Sequence, residues 1–117
     1  MNGEAIQEIQ RETCKRFGAE FCPAAETDKL GIAQGSPVGQ LPLNGLRHRP
    51  TQGTSGWYVW TGTELSDSPD FFSPLHVAHI DEWCPQIKKY LGLPPGWRFL
   101  ISKDYEDVWF DPSLLAV

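Results

Sequence analysis

The sequence lacks the features that would place the chain in a membrane or on a nucleic acid. No apolar run approaches the length of about 18 residues that a membrane-spanning helix needs. The first residues lack the basic start and apolar stretch of a secretory signal, so we expect a cytoplasmic location. Lys and Arg number only 10 against 15 Asp and Glu, and the net charge is −5. This balance argues against nonspecific binding to nucleic acids or anionic membranes, since both need a basic surface.

Paired cysteines are also missing. The count is three, and no two of them form a CxxC pair, which argues against a disulfide framework. We therefore expect reduced thiols at Cys14, Cys22 and Cys84.

Low-complexity composition is absent as well. Hydrophobic residues make up 40% of the chain and aromatic residues 12%, which excludes an acidic disordered tail. The length of 117 residues then predicts a single folded domain over residues 1–117. Its 11 glycines and 10 prolines indicate many turns, and five tryptophans are available for cores or interfaces.

The negative charge is not spread evenly along the chain. Residues 1–49 carry six basic and six acidic side chains, whereas residues 50–117 carry four basic and nine acidic ones. The whole net charge of −5 therefore lies in the second part. Its acids concentrate in a predicted turn at residues 64–70 and near the end of the chain at residues 104–111.

Hydrophobic periodicity predicts a helix over residues 4–17. Uncharged residues recur there three or four positions apart, with charged side chains between them, as on an amphipathic helix. Residues 29–33 are typical of a short strand. Residues 37–56 are rich in Gly, Pro, Asn and Thr and predict a long loop or short extended pieces. Within that segment, residues 44–45 (Asn-Gly) predict a tight turn and residues 53–56 a flexible one.

Aromatic and β-branched residues predict a strand over residues 57–61. Trp57 and Val59 project to one face of it, and Tyr58 and Trp60 to the other. Because both faces are apolar, we expect this strand to be central and covered on both sides, with Trp57 in the core.

The remaining segments predict a helical pair followed by a hairpin. A Ser-Pro start predicts a helix over residues 73–83, and a second short helix follows over residues 85–91. Residues 97–101 and 107–110 predict a hairpin, with Trp97 in the core. The fold class is therefore α+β: a small, mainly antiparallel sheet with an N-terminal helix and a helical pair before a C-terminal hairpin.

Three groups of residues could carry chemistry. His76 and His79 lie three residues apart on a predicted helix, but they lack the spacing of zinc proteases, so we assign neither a metal nor a cofactor. A cysteine near His48 would supply a nucleophile and a base, although no local signature supports that pair. Arg47, His48 and Arg49 could bind phosphate or carboxylate, although the net charge opposes a nucleic-acid partner.

The acidic segments are interpreted either as solvated turns or as a docking surface for a basic partner. Neighbouring aromatic residues favour the docking surface, because Trp and Tyr inside a charged rim are common at the centres of interfaces. The candidate contact residues are Trp60, Glu64, Asp67, Asp70, Asp104, Tyr105, Glu106, Asp107, Trp109 and Asp111.

Several stretches of the sequence resemble a known family. They are residues 43–48 (LNGLRH), 54–60 (TSGWYVW), 68–72 (SPDFF), 93–101 (LPPGWRFLI) and 105–111 (YEDVWFD). Through them, residues 30–117 are similar to the immunity protein 33 family of bacterial polymorphic-toxin systems. The helix before Gly18 is outside this resemblance.

The resemblance implies a cytoplasmic antidote without enzymatic activity. Such a protein binds a cognate toxin domain, blocks its active or substrate-binding surface and protects the producing cell in competition between bacteria. A basic nuclease is one toxin that an acidic surface would suit. The resemblance carries over no catalytic residues, and we expect no direct binding to nucleic acid or to a membrane.

Two other classes of function stay open from the residues alone. The first is a small-ligand or peptide-binding module without catalytic activity, with Trp60 and Arg49 lining a pocket. The second is a small hydrolase that uses His48, His76 or His79, which ranks last because no histidine has a recognised catalytic spacing.

Overall fold

A computed structural model describes residues 3–33, 41–62 and 71–116 of the chain. It begins with a helix, α1 (Gly3–Phe17). The strands are β1 (Lys29–Ile32), β2 (Leu43–Arg47), β3 (Thr54–Thr61), β4 (Ser73–His76), β5 (Trp97–Ser102) and β6 (Tyr105–Phe110). Short 3₁₀ helices span Val77–Glu82, Pro85–Tyr90 and Pro112–Ala116. The predicted α+β class, the N-terminal helix and the closing hairpin are confirmed.

All six strands form one sheet in the order β4-β1-β3-β2-β5-β6. Every neighbouring pair is antiparallel except β1 and β3, which run parallel. Strand β3 is hydrogen-bonded on both sides, as its two apolar faces predict. The two ends of the sheet are β4 and β6.

The main core lies between the sheet and the helical elements. Trp57, Tyr90 and Phe99 are each 1% exposed. Tyr90 stacks on Phe99 with ring centroids 4.7 Å apart, and the indole nitrogen of Trp57 donates to the Leu91 carbonyl at 3.1 Å. Trp57 is therefore a core residue as predicted, while Trp97 is half-buried and packs against the edge of this core.

A smaller apolar cluster covers part of the opposite sheet face. It consists of Ala33, Leu46, Trp60 and Leu114, with Phe71 and Phe72 packed against it. This cluster lies over β2 and β3, which supply Leu46 and Trp60. Strand β3 is therefore covered on the face of Trp57 and only partly on the other, where Trp60 is buried but Tyr58 is 37% exposed.

The predicted helix over residues 73–83 is wrong. Ser73–His76 is a strand that pairs with β1, and only Val77–Glu82 is helical, as a 3₁₀ helix. A Ser-Pro pair suits the start of a helix, but proline is also tolerated in an edge strand, and β4 lies at the sheet edge. Pairing with β1 favours the strand over the helix for Ser73–His76.

The predicted tight turn at residues 44–45 is also wrong, since both residues lie inside β2. The Asn44 amide donates to the carbonyls of Trp60 at 3.3 Å and Gly62 at 2.8 Å. Gly45 is required by close packing, because a side chain there would collide with the ring of Phe99. The predicted flexible turn at residues 53–56 is likewise mostly strand, as β3 begins at Thr54.

One buried arginine joins segments that are distant in the sequence. Arg47, at the end of β2, is 2% exposed. Its guanidinium donates to three backbone carbonyls, those of Ser55 at 2.9 Å, Cys22 at 2.6 Å and Leu93 at 2.7 Å. It meets these carbonyls rather than a phosphate or a carboxylate, and burial lowers its pKa.

Replacing Arg47 by lysine is expected to destabilise the protein. An ammonium group cannot reproduce the planar fork that reaches three carbonyls, so buried acceptors would lose their donors. We expect Arg47→Lys to lower the free energy of unfolding by about 3 kcal/mol in urea titration. Arg49→Lys is the matched control, since Arg49 is exposed and its change should stay within about 0.5 kcal/mol. Equal losses in the two variants would contradict this role.

Candidate partner-binding surface

The β5–β6 hairpin carries most of the predicted contact residues that the structure describes. Its turn consists of Lys103 and Asp104, and the flanking residues Ser102 and Tyr105 pair with each other. Pairing then continues without a register shift for the length of both strands. The hairpin is therefore a regular ribbon at one end of the sheet, and β6 begins two residues earlier than the sequence predicts.

The register of this hairpin sorts its acids between two faces. Residues opposite each other in antiparallel strands project to the same face. Phe99 and its partner Val108 belong to the main core, so Glu106, two residues away, projects to the face that α1 covers. Tyr105, Asp107 and Trp109 project to the other face, together with their cross-strand partners on β5. We call the following residues of that face the outer surface: Arg98, Leu100, Tyr105, Asp107 and Trp109.

Tyr105 is the exposed member of the outer surface, and Asp107 beside it is half-buried. Tyr105 is 56% exposed, and its hydroxyl donates to the Asp107 carboxylate at 3.3 Å. The nearby charge of Asp107 raises the pKa of Tyr105. Asp104 lies exposed in the adjoining turn. Within the described residues, neither Asp104 nor Asp107 has a basic partner.

Trp109 is half-buried and is held by an arginine. The Arg98 guanidinium lies over its ring, 5.4 Å from the centroid, and donates to the Asp111 carboxylate at 3.2 Å. Asp111 also accepts from the hydroxyl of Ser113 at 2.6 Å and from its backbone N–H at 3.1 Å. The hydrogen bonds from Ser113, together with Arg98, lower the pKa of Asp111. Asp111 therefore stabilises the start of the last 3₁₀ helix as well as adding charge.

Glu106 belongs to an ionic network inside the molecule. It accepts from Arg16 of α1 at 2.7 Å and from the hydroxyl of the buried Tyr90, and Lys89 lies 4.0 Å away. Burial opposes ionisation of Glu106, but the hydrogen bonds from Tyr90 and Arg16 outweigh it and lower its pKa. Glu106 therefore ties β6 to α1 and to the core.

The other predicted contact residues are placed differently. Trp60 is 5% exposed and packs in the smaller cluster, so its indole offers a partner little surface. Glu64, Asp67 and Asp70 lie outside the described residues. The structure thus brings together Asp104, Tyr105, Asp107, Trp109 and Asp111, with Glu106 on the opposite face of the same strand.

The family model of the Imm33-like domain matches residues 9–111. The chain belongs to the Imm33-like family. Comparison with curated proteins and with solved structures found no match in either set. This family membership agrees with the resemblance to immunity protein 33.

The contact partners of the histidines in this Imm33-like chain are residues outside the hairpin strands. His48 bonds the Leu114 carbonyl through Nδ1 at 3.0 Å, and His79 bonds the Glu82 carboxylate at 2.7 Å. The rings of His76 and His79 have centroids 6.1 Å apart. Among the described residues, no group of three or more His, Cys, Asp and Glu side chains is placed to hold a metal ion.

The three cysteines are free thiols. Cys14 and Cys84 are buried, and burial raises the pKa of both, which disfavours the reactive thiolate. The Cys14 thiol donates to the Gly92 carbonyl at 3.3 Å. These contacts fit small core residues better than nucleophiles. No helix within the described residues is long and apolar enough to cross a membrane.

The pocket of the ligand-binding alternative would use Trp60 and Arg49. Trp60 is buried, and Arg49 is exposed. One cavity, of about 210 Å³, is lined by residues of β1, β3 and the start of β4, and neither Trp60 nor Arg49 lines it. Its walls include Gly31, Tyr58 and Phe72.

Sequence reasoning missed two members of the outer surface, Arg98 and Leu100. Both lie on a strand that the sequence predicts, at alternate positions with the core residue Phe99. The signal that identifies them is the cross-strand register, which pairs Leu100 with Asp107 and Arg98 with Trp109. A turn of two residues, Lys103 and Asp104, fixes that register, because it pairs Ser102 with Tyr105.

The Glu106 network predicts a pH-dependent contribution to stability. A carboxyl whose pKa is lowered by folding stabilises the folded state above its unfolded value of about 4.3, and this is lost as the pH falls through the folded-state value. Glu106→Gln should therefore lower the free energy of unfolding at neutral pH, and the deficit should shrink below about pH 4. Urea titrations across this range measure it. Asp107→Asn is the control on the outer surface, and a Glu106→Gln deficit unchanged by pH would contradict the prediction.

Proposed function

We propose that this chain is an immunity protein that binds a cognate toxin domain and occludes its active or substrate-binding surface. Support comes from its membership of the Imm33-like family and from the acidic, aromatic outer surface. The role requires no chemistry by the chain itself, because occupying the toxin is sufficient for inhibition. It would act in the cytoplasm of the producing cell, within a polymorphic-toxin system used in competition between bacteria.

The arrangement of Tyr105, Asp107 and Trp109 carries the proposal. Exposed and half-buried aromatic rings supply large contact areas at low entropic cost, and such residues dominate binding energy at interfaces. Asp104 and Asp107 lack basic partners among the described residues, so their charges are available to a partner. Together with the net charge of −5, they favour a basic toxin, of which a nuclease is one kind.

The other candidate acids take lesser parts in this proposal. Glu106 and Asp111 are engaged in ion pairs within the molecule, so their first contribution is to hold the hairpin in place. Glu64, Asp67 and Asp70 remain proposed contacts on their charge alone.

Co-expression tests the function directly. A candidate toxin domain, chosen from the genes next to the one for this chain, is expressed in a bacterial host with and without this chain. Survival is measured together with complex formation on gel filtration. Restored survival and a co-eluting complex are expected. Unchanged killing with no complex would refute the proposal.

Charge reversal on the outer surface tests the site. We expect Asp104→Lys with Asp107→Lys to raise the Kd for the toxin about tenfold or more at low salt, chiefly by slowing association, and less at high salt. Surface plasmon resonance measures both rates. The matched control is Glu8→Lys with Glu12→Lys, which makes the same change in net charge on exposed positions of α1. Equal effects in the two double variants would show that only net charge matters.

A further inference from the structure

The two edges of the sheet differ in how they are protected. Natural proteins guard edge strands with short length, proline, charged side chains (lysine above all) or bulges, because an open edge can pair with another chain. Strand β4 has four residues and contains Pro74. Strand β6 has six residues, contains neither proline nor lysine, and keeps a continuous register with β5. Its two charged residues are Glu106, which is paired with Arg16, and Asp107, so any protection by charge is specific to acidic partners. The β6 edge is therefore the one suited to accept another strand.

The hairpin register shows which backbone groups face that edge. The pair that closes a two-residue turn, Ser102 and Tyr105, exchanges hydrogen bonds, and bonded pairs then alternate along the ribbon. In β6 the residues bonded to β5 are consequently Tyr105, Asp107 and Trp109. The N–H and C=O groups of Glu106, Val108 and Phe110 point away from β5. Within the described residues, no hydrogen bond of the chain occupies these groups.

Side chains beside this edge indicate what kind of strand would fit. On the outer surface the edge presents Asp107, which lacks a basic partner among the described residues. On the other face it presents Phe110, which is 47% exposed. Strand addition places a partner's alternate side chains against these two faces.

We propose that an extended strand of the toxin adds to the free edge of β6, with a Lys or Arg facing Asp107 and an apolar residue beside Phe110. This inference rests on the proposed function and gives its mode of binding. Charge favours a basic strand over a second copy of this chain. Residues 103–111 hold four acids and one lysine, so pairing two copies through β6 would bring two acidic segments together.

Proline substitution at an outward-facing amide tests the strand addition. Phe110→Pro removes an N–H that points to the open edge and leaves the bonds between β5 and β6 in place. Phe110→Ala is the matched control, since it removes the same ring but keeps the N–H. We expect Phe110→Pro to raise the Kd for the toxin at least about tenfold above that of Phe110→Ala. Equal affinities of the two variants would overturn the proposal.

Amide hydrogen exchange, followed by NMR on the wild-type chain, keeps the test decisive if Phe110→Pro fails to fold. In the free protein the amides of Glu106, Val108 and Phe110 should exchange faster than those of Asp107 and Trp109. Binding of the toxin should protect all three. Unprotected amides in a formed complex would refute strand addition while leaving the proposed function intact.

Two further outcomes are distinguishable. A wild-type chain that forms no complex with the toxin would remove the proposed function, and this inference with it. A dimer of the free chain in sedimentation that Phe110→Pro abolishes and Phe110→Ala does not would assign the edge to a second copy instead and overturn the proposal.

Discussion

The fold depends on one buried cation whose hydrogen-bond acceptors are backbone carbonyls. An arginine side chain remains charged when it is buried, so the Arg47 guanidinium needs acceptors in place of water. The carbonyls that it reaches come from the segment after α1, from β3 and from the loop before β5. Its own carbonyl accepts the N–H of Gly96 at 2.7 Å, directly before β5. Arg47 therefore holds the segment directly before β5, and so the start of the hairpin, against β2.

Local patterns predict the elements whose partners lie nearby and fail where distant contacts decide. The helix and the hairpin follow from periodicity within a few residues. Strand β2 does not, because Asn44 and Gly45 form a strong turn signal. Their actual roles come from β3 and β5: the Asn44 amide bonds the Trp60 carbonyl, and Gly45 makes room for Phe99. The role of Arg47 is also hidden from local patterns. Its sequence neighbours His48 and Arg49 suggest an anion site at the surface, whereas its side chain is buried and donates to three backbone carbonyls from distant parts of the chain.

The candidate surface, too, is only partly predictable from the sequence, because contacts between distant residues decide which of its acids are paired. The distribution of acidic and aromatic residues along the chain points to Trp60, the segment 64–70 and the hairpin as candidate contacts, but composition counts every acid alike. The register divides them: Glu106 faces α1 and pairs with Arg16, Asp111 pairs with Arg98, and Asp107 stays on the outer surface. Fewer acidic side chains are therefore available to a partner than the sequence contains, because Glu106 and Asp111 form ion pairs within the molecule.

If the proposed function holds, strand β6 separates stability from recognition by the alternation of its side chains. Val108 and Glu106 face the core and its ionic network, so substitution there disturbs packing or a buried hydroxyl. Tyr105 and Asp107 face outward, where substitutions seldom change the free energy of unfolding by more than about 0.5 kcal/mol. A strand built in this way can change the side chains it shows to a partner while the Arg47 bonds and the main core hold its backbone in place. The backbone of the free edge would then supply contacts common to any added strand, and the outer surface would supply specificity.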